Sequence, residues 1–398
     1  MTKDFGKIKI NMTTIIMKTL LIINFISCIR IPCLDYYFEN MTIVYAVINL
    51  ISFILILIIR PKIKIGGFFL YVFLYYFILV FSTLINNGNK MQLFAEALVS
   101  LTTISIWNSL DKKEIKKYFG VLAFVIEVLT FLNLFIIIKF PDGLYYINYS
   151  RNYYLFDHVN VSIRYLLPGC CFTLIRIYMQ SNKIDIRTKI YIFSVVLTLL
   201  LTWPVTAIIG MVVFLLGWKF MYFGKYAQSL LLPIKTITTT AIVSFLLVAV
   251  KIQNLFSNFI VNVLKRDITL TGRTIIWDTA IEYIKQQPLF GMGRLATEVR
   301  RDYLGVTSAH NQFLNFMFEG GIILMALIFI MVKEASKRVK ECKNFNIVIV
   351  ISATVLAYAV MWITEPFSYS GTSLMFLVWL FAYRSSQLFE ELNVEENR

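Results

Sequence analysis

Runs of about 20 apolar residues, each long enough to cross a hydrocarbon core of about 30 Å, recur from one end of this chain to the other. That recurrence constrains the fold more than any other feature. Hydrophobic residues make up 58% of the 398 positions and the mean hydropathy is +0.72, far above the roughly 45–50% apolar share of soluble domains. The chain is therefore expected to be all-α, a polytopic membrane protein forming one integral membrane domain over residues 1–398.

Spans are expected at 12–31, 41–59, 66–85, 91–109, 118–139, 161–180, 234–256, 310–332, 345–363 and 371–389. The apolar stretch 190–222 is too long for one helix. Trp203-Pro204 near its middle divides it, because proline lacks an N–H donor and crowds the preceding turn. The total is about 12 transmembrane helices, given the length a bilayer demands. The basic N-terminus leads into an apolar segment with no small-residue cleavage site, so it is read as a retained first helix.

Lys and Arg residues concentrate in the loops on the same side as both termini, and the short loops opposite hold almost none. The formal charge of +15 is thus read as the positive-inside rule rather than as a nucleic-acid footprint. Both termini are expected in the cytoplasm, with two larger extracytoplasmic loops at 140–160 and 257–309. The five cysteines, Cys28, Cys33, Cys170, Cys171 and Cys342, show no ligand-like spacing, so neither a disulfide framework nor a zinc site is expected. No repeat, low-complexity segment or coiled coil is visible.

The larger of the two loops carries most of the chain's chemistry. From Arg273 to Gln287 the apolar residues Ile276, Trp277, Ala280, Ile281 and Ile284 fall on one helical face, with Thr271 or Gly272 as cap and Pro288 just past the end. An amphipathic helix at the outer membrane–water boundary is expected. Arg273 lies in its first turn, where free backbone N–H groups already favour an anion. A guanidinium there suits phosphate, although a solvated or headgroup-contacting arginine has the same sequence signature. Gly291-Met292-Gly293 marks a tight turn, and Arg294, Arg300 and Arg301 add charge. His310 opens the next span beside Asn311, and His158 lies in the first outer loop near Asn160. Histidine suits proton transfer near neutral pH, but a helix-start histidine satisfied by a neighbour looks the same in sequence. Two histidines in separate loops without a carboxylate cluster make no metal site. Glu96 and Glu127 lie inside spans, where acids serve either a function or an interhelical pair.

The ordered set Gly272-Arg273, Trp277, Pro288-Leu289-Phe290-Gly291-Met292-Gly293, His310-Asn311 and Gly321 resembles the signature of the O-antigen ligase and O-antigen polymerase superfamily. In that pattern nine residues separate a His-Asn pair from a glycine, as Gln312 to Gly320 separate Asn311 from Gly321 here. Arg151–Asn160 running into Arg164-Tyr165-Leu166-Leu167-Pro168 is similar to the family's preceding outer segment. The resemblance covers about residues 140–335. One departure stands out. The family commonly carries Ser-Arg at the outer turn after the seventh span, and this chain has Thr202-Trp203-Pro204-Val205-Thr206. The ligase branch depends on that arginine, so its absence favours polymerase.

The resemblance implies a metal-independent membrane glycosyltransferase of the bacterial inner (plasma) membrane, with no cofactor. It would polymerise undecaprenyl-pyrophosphate-linked oligosaccharide repeats of an O-antigen or capsule. Alternatives are a ligase that passes the glycan to lipid A core or another acceptor, and a lipid-linked glycan flippase. His310 and Arg273 are the expected catalytic residues, with Arg151, Arg164, Arg294, His158, Asn311 and Trp277 binding pyrophosphate or glycan. Expected partners are the lipid-linked oligosaccharide and membrane lipid, with a chain-length regulator and a flippase as candidate proteins, and no nucleic acid.

Overall fold

The computed structural model describes residues 12–61, 66–147, 152–181, 183–252, 272–367 and 372–389. Each expected span coincides with a helix: Met12–Ile29, Met41–Ile59, Phe68–Ile85, Lys90–Ser109, Lys112–Lys139, Ile163–Tyr178, Ile186–Thr202, Val205–Phe220, Pro233–Val248, Gln312–Glu341, Phe345–Trp362 and Thr372–Tyr383. Among the described residues, seven helices are long and apolar enough to cross a membrane. Pro233–Val248 and Thr372–Tyr383 are apolar but shorter. The chain is an all-α polytopic membrane protein.

Local chemistry sets the helix ends. Lys112–Lys139 starts six residues before the apolar run at 118 because Asp111 and Glu114 form a reciprocal capping box, which satisfies two orphan N–H donors. Asn89, Asp185, Asn311 and Asn344 cap four other helices one-way, each side chain accepting a backbone N–H. Trp203 adopts φ 49°, ending Ile186–Thr202, and Pro204 precedes Val205–Phe220. The 190–222 stretch is thus two helices meeting at that turn.

Long-range hydrogen bonds sort the loops onto two faces. On one, Asn89 N–H reaches the Arg294 carbonyl at 2.7 Å and the Tyr37 hydroxyl the Leu144 carbonyl at 3.3 Å. There too Arg164 reaches the Pro366 carbonyl, and Asn311 that of Ile363. This loop face therefore joins the segments near 30–40, 86–89, 140–162, 272–311 and 363–367. On the opposite face, Arg60 pairs with Glu114 at 2.6 Å and Arg384 donates to the Trp107 and Asn108 carbonyls. Phe345–Trp362 and Thr372–Tyr383 are almost wholly buried and form the centre. Met41–Ile59 lies at the rim, with Ile51, Ile54 and Ile58 exposed, as suits a lipid-facing helix.

One helix is broken, and the break organises the loop face. Within Gln312–Glu341, Gly321 takes φ 63°, ψ −163°, a region that residues with a Cβ avoid. The Pro288–Gly293 segment docks into the break. Met292 and Gly293 donate to the carbonyls of Phe318 and Glu319 at 2.6 and 3.0 Å. Ile322 and Ile323 donate to the carbonyls of Pro288 and Leu289 at 2.9 and 3.3 Å. Non-helical backbone at membrane depth needs such partners within the protein. A Cβ on Gly321 would meet the Leu289 carbonyl oxygen at 2.2 Å, and one on Gly293 the Thr83 backbone at 2.6 Å. The paired glycines are needed for close approach as well as for turning.

The expected loop helix is Arg273–Gln286. It buries Trp277 and Ala280 and half-buries Ile276, Ile281 and Ile284. The segment before Ile163–Tyr178 contains a small antiparallel pair, Tyr153-Tyr154 against Asp157-His158.

Candidate functional site

His310 sits at φ 46° immediately before the Gln312–Glu341 helix, half-buried. Its backbone is clamped from both sides. Trp277, 1% exposed, donates its indole Nε1–H to the Ala309 carbonyl at 3.1 Å. Asn311 is buried; its Nδ2 donates to Ser244 Oγ at 2.7 Å and to the Ile363 carbonyl at 3.0 Å. Its Oδ1 accepts from Leu314 N–H at 3.0 Å. Trp277 and Asn311 thus make structural contacts that fix where the imidazole can be.

Arg273 lies one turn before Trp277 on the same helix face. Its Nη2 is 3.4 Å from Glu365 Oε1, and the two side chains are 25% and 16% exposed. Glu365 lies two residues beyond Ile363, to which Asn311 is bonded. Arg273, Glu365 and His310 therefore occupy one corner of the loop face. Arg164, buried in Ile163–Tyr178, donates to the Pro366 carbonyl at 2.5 Å and lies 5.5 Å from the Phe367 ring centroid. Phe367 N–H in turn donates to Gln312 Oε1.

The short segment Ile363–Phe367 is thus the hub of the corner. Glu365 was not among the residues singled out from the sequence; its signal there is an acid followed by proline in a loop otherwise without charge.

Arg294 is elsewhere. It is 1% exposed, with Nη1 3.2 Å from Glu319 Oε1 and Nη2 3.2 Å from Glu96 Oε2. Arg300, equally buried, is 2.8 Å from Glu319 Oε1 and stands over the Phe318 ring. Arg30 adds a 3.6 Å contact to Glu96 and a 3.8 Å contact to Asp35. Carboxylates and guanidiniums alternate along this chain, so charge is balanced where charges are costly to bury. Of Glu96 and Glu127, the two span acids singled out from the sequence, Glu96 is taken up there. Glu127 pairs with Arg187 at 2.7 Å and accepts from Thr173.

His158 is also away from the corner. Its Nδ1 accepts from Asn160 N–H at 3.3 Å, and its ring meets Tyr153 edge-on at 5.3 Å. Arg151 lies outside the described residues. Among the described residues, no group of three or more His, Cys, Asp or Glu side chains could hold a metal ion.

An apolar groove of about 390 Å³ adjoins the corner between Pro233–Val248, Arg273–Gln286 and the broken helix. Ser244, Phe245, Val248, Ile281, Leu314 and Met317 line part of it. Ser244 is also the hydroxyl that holds Asn311. A quarter-exposed arginine, an imidazole and a carboxylate thus stand near a slot lined with hydrocarbon, joined to it through Ser244 and Asn311. Such an arrangement can hold an anionic headgroup on an apolar tail and move a proton beside it.

No curated protein and no solved structure matches the chain. A family model described as O-antigen ligase matches residues 190–329. The matched stretch spans Arg273, Trp277, the docked Pro288–Gly293 segment, Arg294, Arg300, His310, Asn311 and Gly321, whereas Arg164, His158, Glu96 and Glu365 lie outside it. Over that stretch the chain is similar to the O-antigen ligase family, which supports a glycosyltransferase-like function of the O-antigen ligase or polymerase type.

Proposed function

We propose that this protein polymerises undecaprenyl-pyrophosphate-linked oligosaccharide repeats at the outer face of the bacterial plasma membrane, with both termini in the cytoplasm. The observation that carries the reading is the quarter-exposed Arg273, loosely paired with Glu365, on the helix that also walls the apolar groove. A polyprenyl tail fits such a groove, and its pyrophosphate then competes with Glu365 for the guanidinium. The planar fork of arginine matches phosphate oxygens in two places at once.

In the reaction, a hydroxyl oxygen of one repeat bonds to the anomeric carbon of another lipid-linked glycan. The bond from that carbon to the phosphate oxygen breaks, and undecaprenyl pyrophosphate leaves with the electron pair. Arg273 stabilises the charge that develops on the leaving group, and His310 orients the hydroxyl and takes its proton. Arg164, through Pro366 and Phe367, holds the segment that carries Glu365, a positioning role. Arg294 belongs to the buried ion chain and is assigned no contact with substrate.

Polymerase is preferred to ligase because Thr202–Thr206 supplies no arginine at the outer turn, the position on which the resembled ligase branch depends. The flippase alternative would place its binding charges within the bundle. Here the one buried ion chain among the described residues with several members is internally neutralised.

Gel separation of the surface glycan from a strain lacking the protein tests the reading. Polymerase predicts single repeats on their normal anchor with the ladder gone. A ladder stranded on undecaprenyl pyrophosphate means ligase, and repeats trapped on the cytoplasmic side mean flippase.

A further inference from the structure

The loop face has a second concavity, away from the Arg273 corner. It encloses about 470 Å³ between the short helix Pro32–Tyr37 and the 140–160 loop. Its walls include Asp35, Tyr36, Tyr145, Tyr146 and Asp157. Tyr36 and Tyr145 stack at 4.6 Å between centroids and 28° between planes. Tyr37 meets Tyr36 edge-on at 5.0 Å. Tyr36 is 48% exposed although its ring rests on Tyr145, and Tyr146 is 50% exposed. Exposed, mutually braced tyrosines around a cavity are more than a lipid-facing rim requires.

We infer that this cavity is a glycan subsite that seats a neutral sugar ring of the lipid-linked repeat, with the Tyr36–Tyr145 stack as its platform and Asp35 and Asp157 accepting ring hydroxyls. The inference rests on the transferase reading above and names where part of its substrate is held. A pyranose has one face lined by C–H groups, which suits the electron-rich face of a stationary aromatic ring, and a rim of hydroxyls, which suits carboxylates.

Aromatics with acids also suit an organic cation, but two observations favour a neutral ligand. The stacked tyrosines present a platform rather than a cage of converging faces. Each carboxylate also has an arginine behind it: Arg30 lies 3.8 Å from Asp35, and Arg164 attracts Asp157. The cavity wall is polar without carrying much net negative charge. Arg164 also connects the two sites, since it donates to Pro366, next to the Glu365 that pairs with Arg273.

The experiment is saturation-transfer difference NMR on the purified full-length chain in detergent, with methyl glycosides of glucose, galactose and N-acetylglucosamine as probes and choline as the competitor class. The expected result is transfer to ring protons of at least one neutral glycoside. Tyr36→Ala should weaken it about fivefold, the worth of one aromatic contact, while Tyr36→Phe and Arg273→Ala retain it. Tyr36 is half exposed on a six-residue helix, so its removal leaves the core intact. The inference is overturned if no glycoside receives transfer, if transfer survives Tyr36→Ala, or if choline alone receives it. The two readings fail separately. Sugar binding in a protein whose loss leaves the surface glycan unchanged sinks the transferase and keeps the subsite. A glycan that shortens on loss of the protein, with no sugar bound here, does the reverse.

Discussion

Arg294 and Arg273 come from the same polar stretch of chain, within sight of each other in sequence, yet they sit in opposite surroundings. Arg294 is sealed in, with both terminal nitrogens on carboxylates from different parts of the fold. Arg273 is a quarter exposed and faces one carboxylate at the edge of hydrogen-bonding range. A guanidinium already saturated by buried acids has nothing left to offer a phosphate, and removing one of its partners strands a charge in a dry site. A guanidinium held loosely at the surface adds little to stability, about 0–1 kcal/mol for such pairs, and is free to exchange its partner. Burial and pairing therefore separate an arginine committed to the scaffold from one able to take a ligand, which sequence position alone does not.

The largest effect should come from breaking the scaffold side. Glu319 joins Arg294 and Arg300, so Glu319→Ala leaves two buried cations short of a partner. A loss of about 3–5 kcal/mol is expected, read as a fall of both melting temperature in detergent and protein level in the membrane. A variant that accumulates normally and melts as the wild type does would show that the chain of charges is not structural.

On the working side, Arg273→Ala should leave protein level and melting temperature nearly unchanged and lower glycan lengthening by about 10²–10³, if it acts as other oxyanion stabilisers do. His310→Ala should lower it as well. Arg273→Lys sharpens the test, because it keeps the charge and loses the fork; intermediate activity is expected. Unchanged chain length in both alanine variants, at normal protein level, rejects the assignment of this corner.

These contrasts also show which parts of the protein are legible in its sequence. Span positions are set by local apolar length, so they are readable, as is the split at Trp203-Pro204. The ends of Lys112–Lys139 and Gln312–Glu341 are less so, because capping and interhelical packing carry those helices past the apolar run. The loop helix was legible from its periodicity, whereas Trp277 and Asn311 were read from the resemblance as binding pyrophosphate or glycan. Their contacts with Ala309, Ser244 and Ile363 assign them to holding the backbone around His310. The partners of Arg294 were not legible, since Glu96 lies 198 residues away. Nor was the docking of Pro288–Gly293 into a helix break, which depends on backbone groups that sequence does not distinguish.

Gly321→Ala tests that docking. The residue holds φ 63°, and its Cβ would meet the Leu289 carbonyl oxygen. The strained conformation alone costs about 1–3 kcal/mol. The expected result is a lower melting temperature together with faster exchange of the Met292 and Gly293 amides, whose acceptors lie on the far side of the break. Wild-type protection at those amides would mean that the segment is held by other contacts.

The smallest effect concerns Asp157, at the second concavity. Burial pushes its carboxyl above the usual range, against the pull of the His158 N–H and of Arg164. A carboxyl whose folded pKa exceeds its unfolded one disfavours folding when ionised, so stability is gained as pH falls through the folded pKa and is lowest above it. Asp157 also holds φ 75°, which asparagine tolerates. Asp157→Asn keeps the shape and the acceptor for His158 N–H while removing the charge. The variant should melt at or slightly above the wild-type temperature at pH 7, within about 1 kcal/mol, and the gap should close as pH is lowered through the range just above the ordinary carboxylate value. A variant that melts lower at pH 7 would mean that attraction to Arg164 outweighs burial. Asp157 would then belong with the scaffold charges rather than with a cavity wall that waits for a ligand's hydroxyls.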